Sequence, residues 1–84
     1  MIKRIGIFGS TGSIGQQALQ VIKDNPDKFS VEILTANSNY EALVEQALEH
    51  DPNIVVIGDK SYYENVKEEL SGTDIKVFGR EESL

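Results

Sequence analysis

Three glycines and three hydroxyl residues fall within seven consecutive positions near the start of the chain, Gly9-Ser-Thr-Gly-Ser-Ile-Gly15. An apolar run precedes them, and apolar residues recur at three- and four-residue steps after them, the pattern of a strand, a tight turn and a helix. The spacing is G-x-x-G-x-x-G, and each glycine has a physical use. Gly9 can adopt backbone angles closed to other residues, Gly12 lets a phosphate approach the main chain with no Cβ in the way, and Gly15 lets the helix pack close to the strand. The helix N-terminus then offers unpaired N–H groups and about half a positive charge to an anion. Ser10, Thr11 and Ser13 add hydroxyl donors, and Ile14 lies in the same turn. Such a glycine cluster can also be a packing turn alone. Its place in the first β-α-β unit, of about thirty residues, favours a dinucleotide.

The end of the second strand is where such folds read the ribose. NAD-specific chains usually carry Asp or Glu there, to accept from the 2′-hydroxyl. This chain reads Thr35-Ala36-Asn37-Ser38-Asn39, with no carboxylate until Glu41. Nothing there repels a 2′-phosphate, and Asn37, Ser38 and Asn39 can donate hydrogen bonds to one, so NADP is favoured over NAD. No Arg or Lys stands beside them. Ser38 has a structural use as well, since Ser38-x-x-Glu41 matches a capping box.

The elements that must position these turns are short. Arg4–Phe8, Val31–Ala36, Ile54–Ile57 and Ile75–Phe78 are Ile- and Val-rich runs with little polar alternation, as in strands buried on both faces. Three helices lie between them. The first covers about 12–23, with Ile14, Ala18, Val21 and Ile22 inward. The second covers about 39–50, with Tyr40, Leu43, Val44 and Ala47 inward. The third covers about 62–70, with Tyr63, Val66 and Leu70 in register. Ser61-x-x-Glu64 is a second capping box, and Pro26, Pro52 and Gly72 sit just past helix ends. The β-α-β-α-β-α-β order predicts an α/β fold, a Rossmann-like doubly wound parallel sheet that is incomplete, with residues 80–84 resembling the first turn of another helix.

Composition bounds the rest. The chain has 84 residues, no cysteine and a net charge of −6. One small domain or part of one is expected, burying about 60% of its unfolded surface and only marginally stable alone. No disulfide or cysteine-based metal site can supplement that core, and the acidic balance opposes a nucleic-acid partner. Lys3 and Arg4 precede an apolar stretch too short for a signal peptide or a membrane span, so a cytoplasmic protein is expected. No carboxylate group has metal-ligand spacing, and no Ser-His or Cys-His pair is visible. Asn25-Pro-Asp-Lys-Phe29 reads as a helix stop with Phe29 in the core. Tyr62 and Tyr63 read as helix-face residues, and His50 as a partner of its helix's C-terminal dipole.

From Gly9 to Asn39 the sequence resembles the N-terminal NADPH-binding domain of the 1-deoxy-D-xylulose 5-phosphate reductoisomerase family. The likeness takes in the whole glycine turn, Asn25-Pro26, Phe29, the second strand and the Ala36–Asn39 turn, then more loosely Glu45-Gln46 and Asp51-Pro52. It implies that Thr11, Gly12, Ser13 and Ile14 hold NADPH and that Asn37, Ser38 and Asn39 meet the adenosine 2′-phosphate. Many relatives carry Gly-Lys-Asn in that second turn, from which Asn37 and Ser38 depart. The family's reaction, on the path to isoprenoid precursors, is implied to rearrange a pentulose phosphate and reduce it with NADPH, aided by Mg2+ or Mn2+. Members run several hundred residues and are expected to be homodimers. Residues 1–84 are therefore expected to be the opening part of the NADPH-binding domain, inert alone, with catalytic and metal residues beyond Leu84. Two other readings share the turn. One is a semialdehyde dehydrogenase, which usually carries Arg-Ser after the second strand, and the other is a non-catalytic NADP-sensing module.

Overall fold

The β-formers and the apolar-periodic segments sort as their local chemistry demands in a computed structural model of the chain, which describes residues 1–79. The order is β1 (Lys3–Ile7), α1 (Ser13–Asp24), β2 (Phe29–Ala36), α2 (Tyr40–His50), β3 (Ile54–Ile57), a 3-10 turn (Lys60–Tyr62), α3 (Tyr63–Glu69) and β4 (Lys76–Gly79). The further helical turn expected over 80–84 lies outside the described residues.

All strand pairs are parallel, and the sheet order is β1-β2-β3-β4. Each crossover therefore steps the same way, and right-handed crossovers put all three helices on one face. The core lies between that face and the helices. Leu34, Val55 and Ile57 from the strands meet Leu43, Ala47, Val66 and Leu70 from the helices, all essentially without exposure. On the opposite face Ile33, Ile54, Val56 and Phe78 are half-buried. The expected α/β Rossmann-like sheet is thus present as one winding: four parallel strands and three helices.

Several local expectations are corrected. Phe8 lies outside β1 and is 76% exposed, and β2 begins two residues earlier than expected, at Phe29. Ile14 and Val21, expected inward, are exposed. The inward face of α1 is Gly15, Leu19 and Ile22, because Gly15 is pressed against the turn. With about 100° per residue, that phase swings Ile14 out. Neither serine caps its helix. Asn39 Oδ1 accepts from Ala42 N–H at 3.4 Å, since Asn37 is still tied to the strand end by the Asp59 N–H at 2.7 Å. Asp59 takes both the N–H of Ser61, at 3.0 Å, and its hydroxyl, at 2.7 Å, so the helix begins only at Tyr63. A charged acceptor outcompetes a serine two residues on. Tyr62 stacks on Tyr40 with ring centroids 4.9 Å apart, joining the starts of α2 and α3.

A bulge in β2 where β1 passes from Ile5 to Gly6 keeps Ile7 and Leu34 together on the helix side. Beside it Glu32 accepts from Arg4 Nη1 at 3.1 Å and from Asn53 Nδ2 at 2.9 Å, linking three neighbouring segments of the sheet. The Asn53 hydrogen bonds hold the Glu32 carboxyl below its ordinary value of 4.5, against a smaller opposing effect of desolvation, and Arg4 adds to the lowering. A depressed carboxyl stabilises the fold fully above its unfolded pKa and loses that contribution as pH falls through the folded value. Glu32→Gln should therefore flatten the fall in stability between about pH 5 and pH 2. Urea melts across that range check it, and parallel losses in both proteins would exclude the effect.

Candidate functional site

The three turns that follow β1, β2 and β3 lie together at the carboxyl ends of the strands, where open α/β sheets hold ligands. The first is built by close backbone packing. Gly9 has φ +72, a left-handed angle, and its N–H donates to Thr35 Oγ1 at 2.9 Å. Ser10 N–H donates to the Thr35 carbonyl at 2.8 Å, so the end of β2 grips the turn twice. Gly15 closes it from the other side. A Cβ there would run into the Gly9 carbonyl oxygen and lie 2.7 Å from Ser10 Cα.

Gly12 is different in kind. It caps α1 with φ −77 and ψ 170, extended backbone that any residue adopts. A Cβ there would meet only the Gly9 carbonyl oxygen, at 3.4 Å, an ordinary contact. The fold itself does not require glycine at this position, and the missing Cβ leaves the helix start open. Around Gly12 the surface suits an anion. The N–H groups of Ser13, Ile14 and Gly15 make no backbone hydrogen bond among the described residues, and α1 has no acidic residue in its first turn. The first carboxylate in the sequence is Asp24, at the far end of that helix. Gly12, Ser13, Ile14 and Gly15 face Phe8 and Gly9 across an open cleft, with Ile14 82% exposed on its wall.

The expected site residues do not all sit alike. Gly9, Gly12, Ser13 and Ile14 are exposed and Thr11 is half-buried, while Ser10 is completely buried and its hydroxyl has no partner. Ser10 therefore shapes the turn from behind rather than adding a hydroxyl to its mouth. Gly15 is buried in the same way. At the second turn Ala36 is buried at the end of β2, and Asn37, Ser38 and Asn39 are exposed. Asn39 Oδ1 is committed to capping α2, which leaves its amide N–H groups outward. His50 stands at the opposite end of α2, 3.5 Å from Glu49 Oε1.

Two contributors are not among the expected site residues. Gly58, after β3, packs on the Asn37 turn so closely that a Cβ would come within 2.7 Å of Asn37 Oδ1. A glycine immediately after an apolar strand is the signal that marks it. Gln46, on α2, donates to the Ser10 carbonyl at 2.9 Å, and no local pattern marks it.

Comparison with known proteins decides the family. The family model described as 1-deoxy-D-xylulose 5-phosphate reductoisomerase matches residues 5–84. The chain belongs to that family. The reductoisomerase of Phocaeicola vulgatus is 49% identical over 84 residues, and that of Porphyromonas gingivalis 48% identical over 84. In both cases all of this chain is covered, and 22% of the relative, so the chain spans about a fifth of their length. Among solved structures, the reductoisomerase from Zymomonas mobilis in complex with NADPH superposes with a TM-score of 0.90 at 34% identity, covering 94% of this chain and 21% of that one. A reductoisomerase in complex with NADPH, fosmidomycin and magnesium gives 0.89 at 25% identity, covering 98% of this chain and 20% of that one. Membership in the reductoisomerase family does not favour the semialdehyde-dehydrogenase and sensor readings. Among the described residues no group of three His, Cys, Asp or Glu could hold a metal ion, and no helix is long and apolar enough to cross a membrane.

The contrast between the glycines gives a stability test. Gly15→Ala forces backbone atoms apart and should cost about 3 kcal/mol, whereas Gly12→Ala should cost no more than about 1 kcal/mol. Denaturant melts of the two variants measure the difference, and equal costs would contradict the close approach at Gly15.

Proposed function

We propose that this chain is the start of the NADPH-binding domain of a 1-deoxy-D-xylulose 5-phosphate reductoisomerase. In the full-length enzyme it holds the cofactor that reduces the rearranged pentulose phosphate to 2-C-methyl-D-erythritol 4-phosphate. The observation that carries this reading is Gly12, a glycine with ordinary backbone angles at a helix start with unpaired N–H groups and no carboxylate in its first turn. The cofactor supplies a hydride when bound; the chain's own residues bind and orient it. Backbone N–H groups from Ser13 to Gly15, with the Ser13 and Thr11 hydroxyls, would face the pyrophosphate. Phe8 and Ile14 would give the apolar walls. Asn37, Ser38 and Asn39 would donate to the 2′-phosphate. The described residues suit a dinucleotide and include no group of three metal-ligating side chains, so in this reading the Mg2+ or Mn2+ that the family implies would be held elsewhere in the full-length enzyme. The same reading includes a cytoplasmic location and, for the full-length enzyme, a homodimer.

Two measurements on the full-length enzyme test the assignment. Gly12→Val places a branched side chain where the pyrophosphate approaches, and its NADPH Kd should rise at least tenfold. An unchanged Kd would remove Gly12 from the site. NADPH should be preferred over NADH by about 1–3 kcal/mol, and Ser38→Asp should narrow or reverse the preference by repulsion. Kinetics with both cofactors would show this, and an unaltered ratio would mean that the second turn does not read the phosphate.

A further inference from the structure

Ser10 is the most tightly held residue of the glycine turn, and three separate elements hold it. Its N–H donates to the Thr35 carbonyl of β2, and Gly15 of α1 lies against its Cα and carbonyl carbon. Its carbonyl accepts from Gln46 Nε2 of α2 at 2.9 Å. That last bond spans 36 residues, and it is the tie from α2 to the turn that the described residues contain.

The bond has a directional consequence. A trans peptide is planar, and its C=O and N–H point opposite ways. Fixing the Ser10 carbonyl toward α2 therefore fixes the Thr11 N–H away from α2. That N–H makes no backbone hydrogen bond among the described residues. The next carbonyl, of Thr11, is held by Gln16 Nε2 at 2.7 Å, so two successive carbonyl oxygens are occupied by side-chain amides. A free carbonyl oxygen rotated into the mouth of the turn would repel a phosphate.

Gln46 is also a costly residue to keep for packing alone. Its Oε1 and the neighbouring Ser10 Oγ are buried and have no hydrogen-bond partner. Buried polar atoms left unpaired destabilise, and an apolar side chain of the same length would remove the unpaired Oε1 while leaving the Ser10 carbonyl without its donor. The side chain's use is its one donated bond.

We propose that Gln46 is a positioning residue for NADPH: without reaching the cofactor, it sets the Ser10–Thr11 peptide so that the turn presents N–H groups rather than carbonyl oxygens to the pyrophosphate. This rests on the NADPH reading above. Its geometry is carried by α2, so movement of that helix reaches the cofactor through one hydrogen bond.

The test uses the full-length enzyme. Gln46→Met keeps the length and removes the donor. NADPH Kd and KM for NADPH should both rise about tenfold, while kcat at saturating NADPH changes much less and the melting temperature shifts little. Gln46→Glu gives a second, fold-independent check. Ionised, it cannot donate to the Ser10 carbonyl; protonated, its O–H can. Its affinity for acid-stable NADP+, relative to wild type at each pH, should recover between pH 8 and pH 5.5. Lys23, Glu49 and His50 share the groove between α1 and α2 with Gln46 and would couple to a carboxylate there, so the ratio is also taken in a His50→Gln background, where the recovery should persist. Equal NADPH Kd for wild type and Gln46→Met would overturn the inference and leave the NADPH reading standing. So would a Gln46→Glu ratio that is flat with pH, or a loss confined to kcat. Wild-type enzyme that fails to bind NADPH would overturn both.

Discussion

Where Gly15 of α1 touches the backbone of Gly9 and Ser10, helix and turn meet with no side chain between them, and most of the site's geometry follows from that contact. It fixes the rotation of the helix. With Gly15 inward, Leu19 and Ile22 follow it into the core four and seven residues later, and Ile14 is turned out to the cleft. It also fixes the distance of the helix start from the end of β1. The unpaired N–H groups of Ser13 to Gly15 thereby open beside the turn rather than behind it. A methyl group at this one position would push the helix off the strand and move the donors with it.

Electrostatics then decides what that opening can hold. The chain is acidic overall, yet its first carboxylate is Asp24 and the first turn of α1 has none. Field strength at a helix N-terminus falls off within about a turn, so the absence of a carboxylate from the first turn of α1 counts for more than acids farther than a Debye length away. A net charge of −6 is compatible with a helix start suited to an anion because many of the acids lie on the exposed sides of α2 and α3.

The sheet order brings the remaining pieces to the same end. Since β1, β2 and β3 are adjacent and parallel, their following turns line up in sequence order across the carboxyl edge. Each turn is bonded to the next strand's turn: Thr35 holds Gly9 and Ser10, and the Asn37 carbonyl and Ala36 carbonyl hold Asp59 and Gly58. The Gly58 approach to Asn37 repeats, between the second and third turns, the close contact that glycine permits between the first turn and α1. The surface that would meet a dinucleotide is therefore one connected hydrogen-bonded rim rather than three independent loops.

The sequence by itself determined the alternation of strands and helices, the strand-turn-helix at Gly9–Gly15 and the exposed amide-rich turn at Asn37–Asn39. These are short-range properties: strand runs declare themselves through β-branched residues, and a glycine turn through its spacing. Only the tertiary structure decided how each element is rotated and what ties the turns together. Ile14 and Val21 fit a helical apolar face as well as Leu19 does, and the Gly15 contact chose between them. Ser38 and Ser61 fit capping boxes, but strand-end hydrogen bonds and the Asp59 carboxylate moved both helix starts. Ser10 looks like a hydroxyl donor in the sequence and is buried, because β2, α1 and α2 all close on it. Gln46 belongs to the looser family likeness at Glu45-Gln46, but no local pattern shows what it does. Its role exists only when α2 is laid beside the turn, since a hydrogen bond between residues 36 apart is a property of the packing and not of either segment.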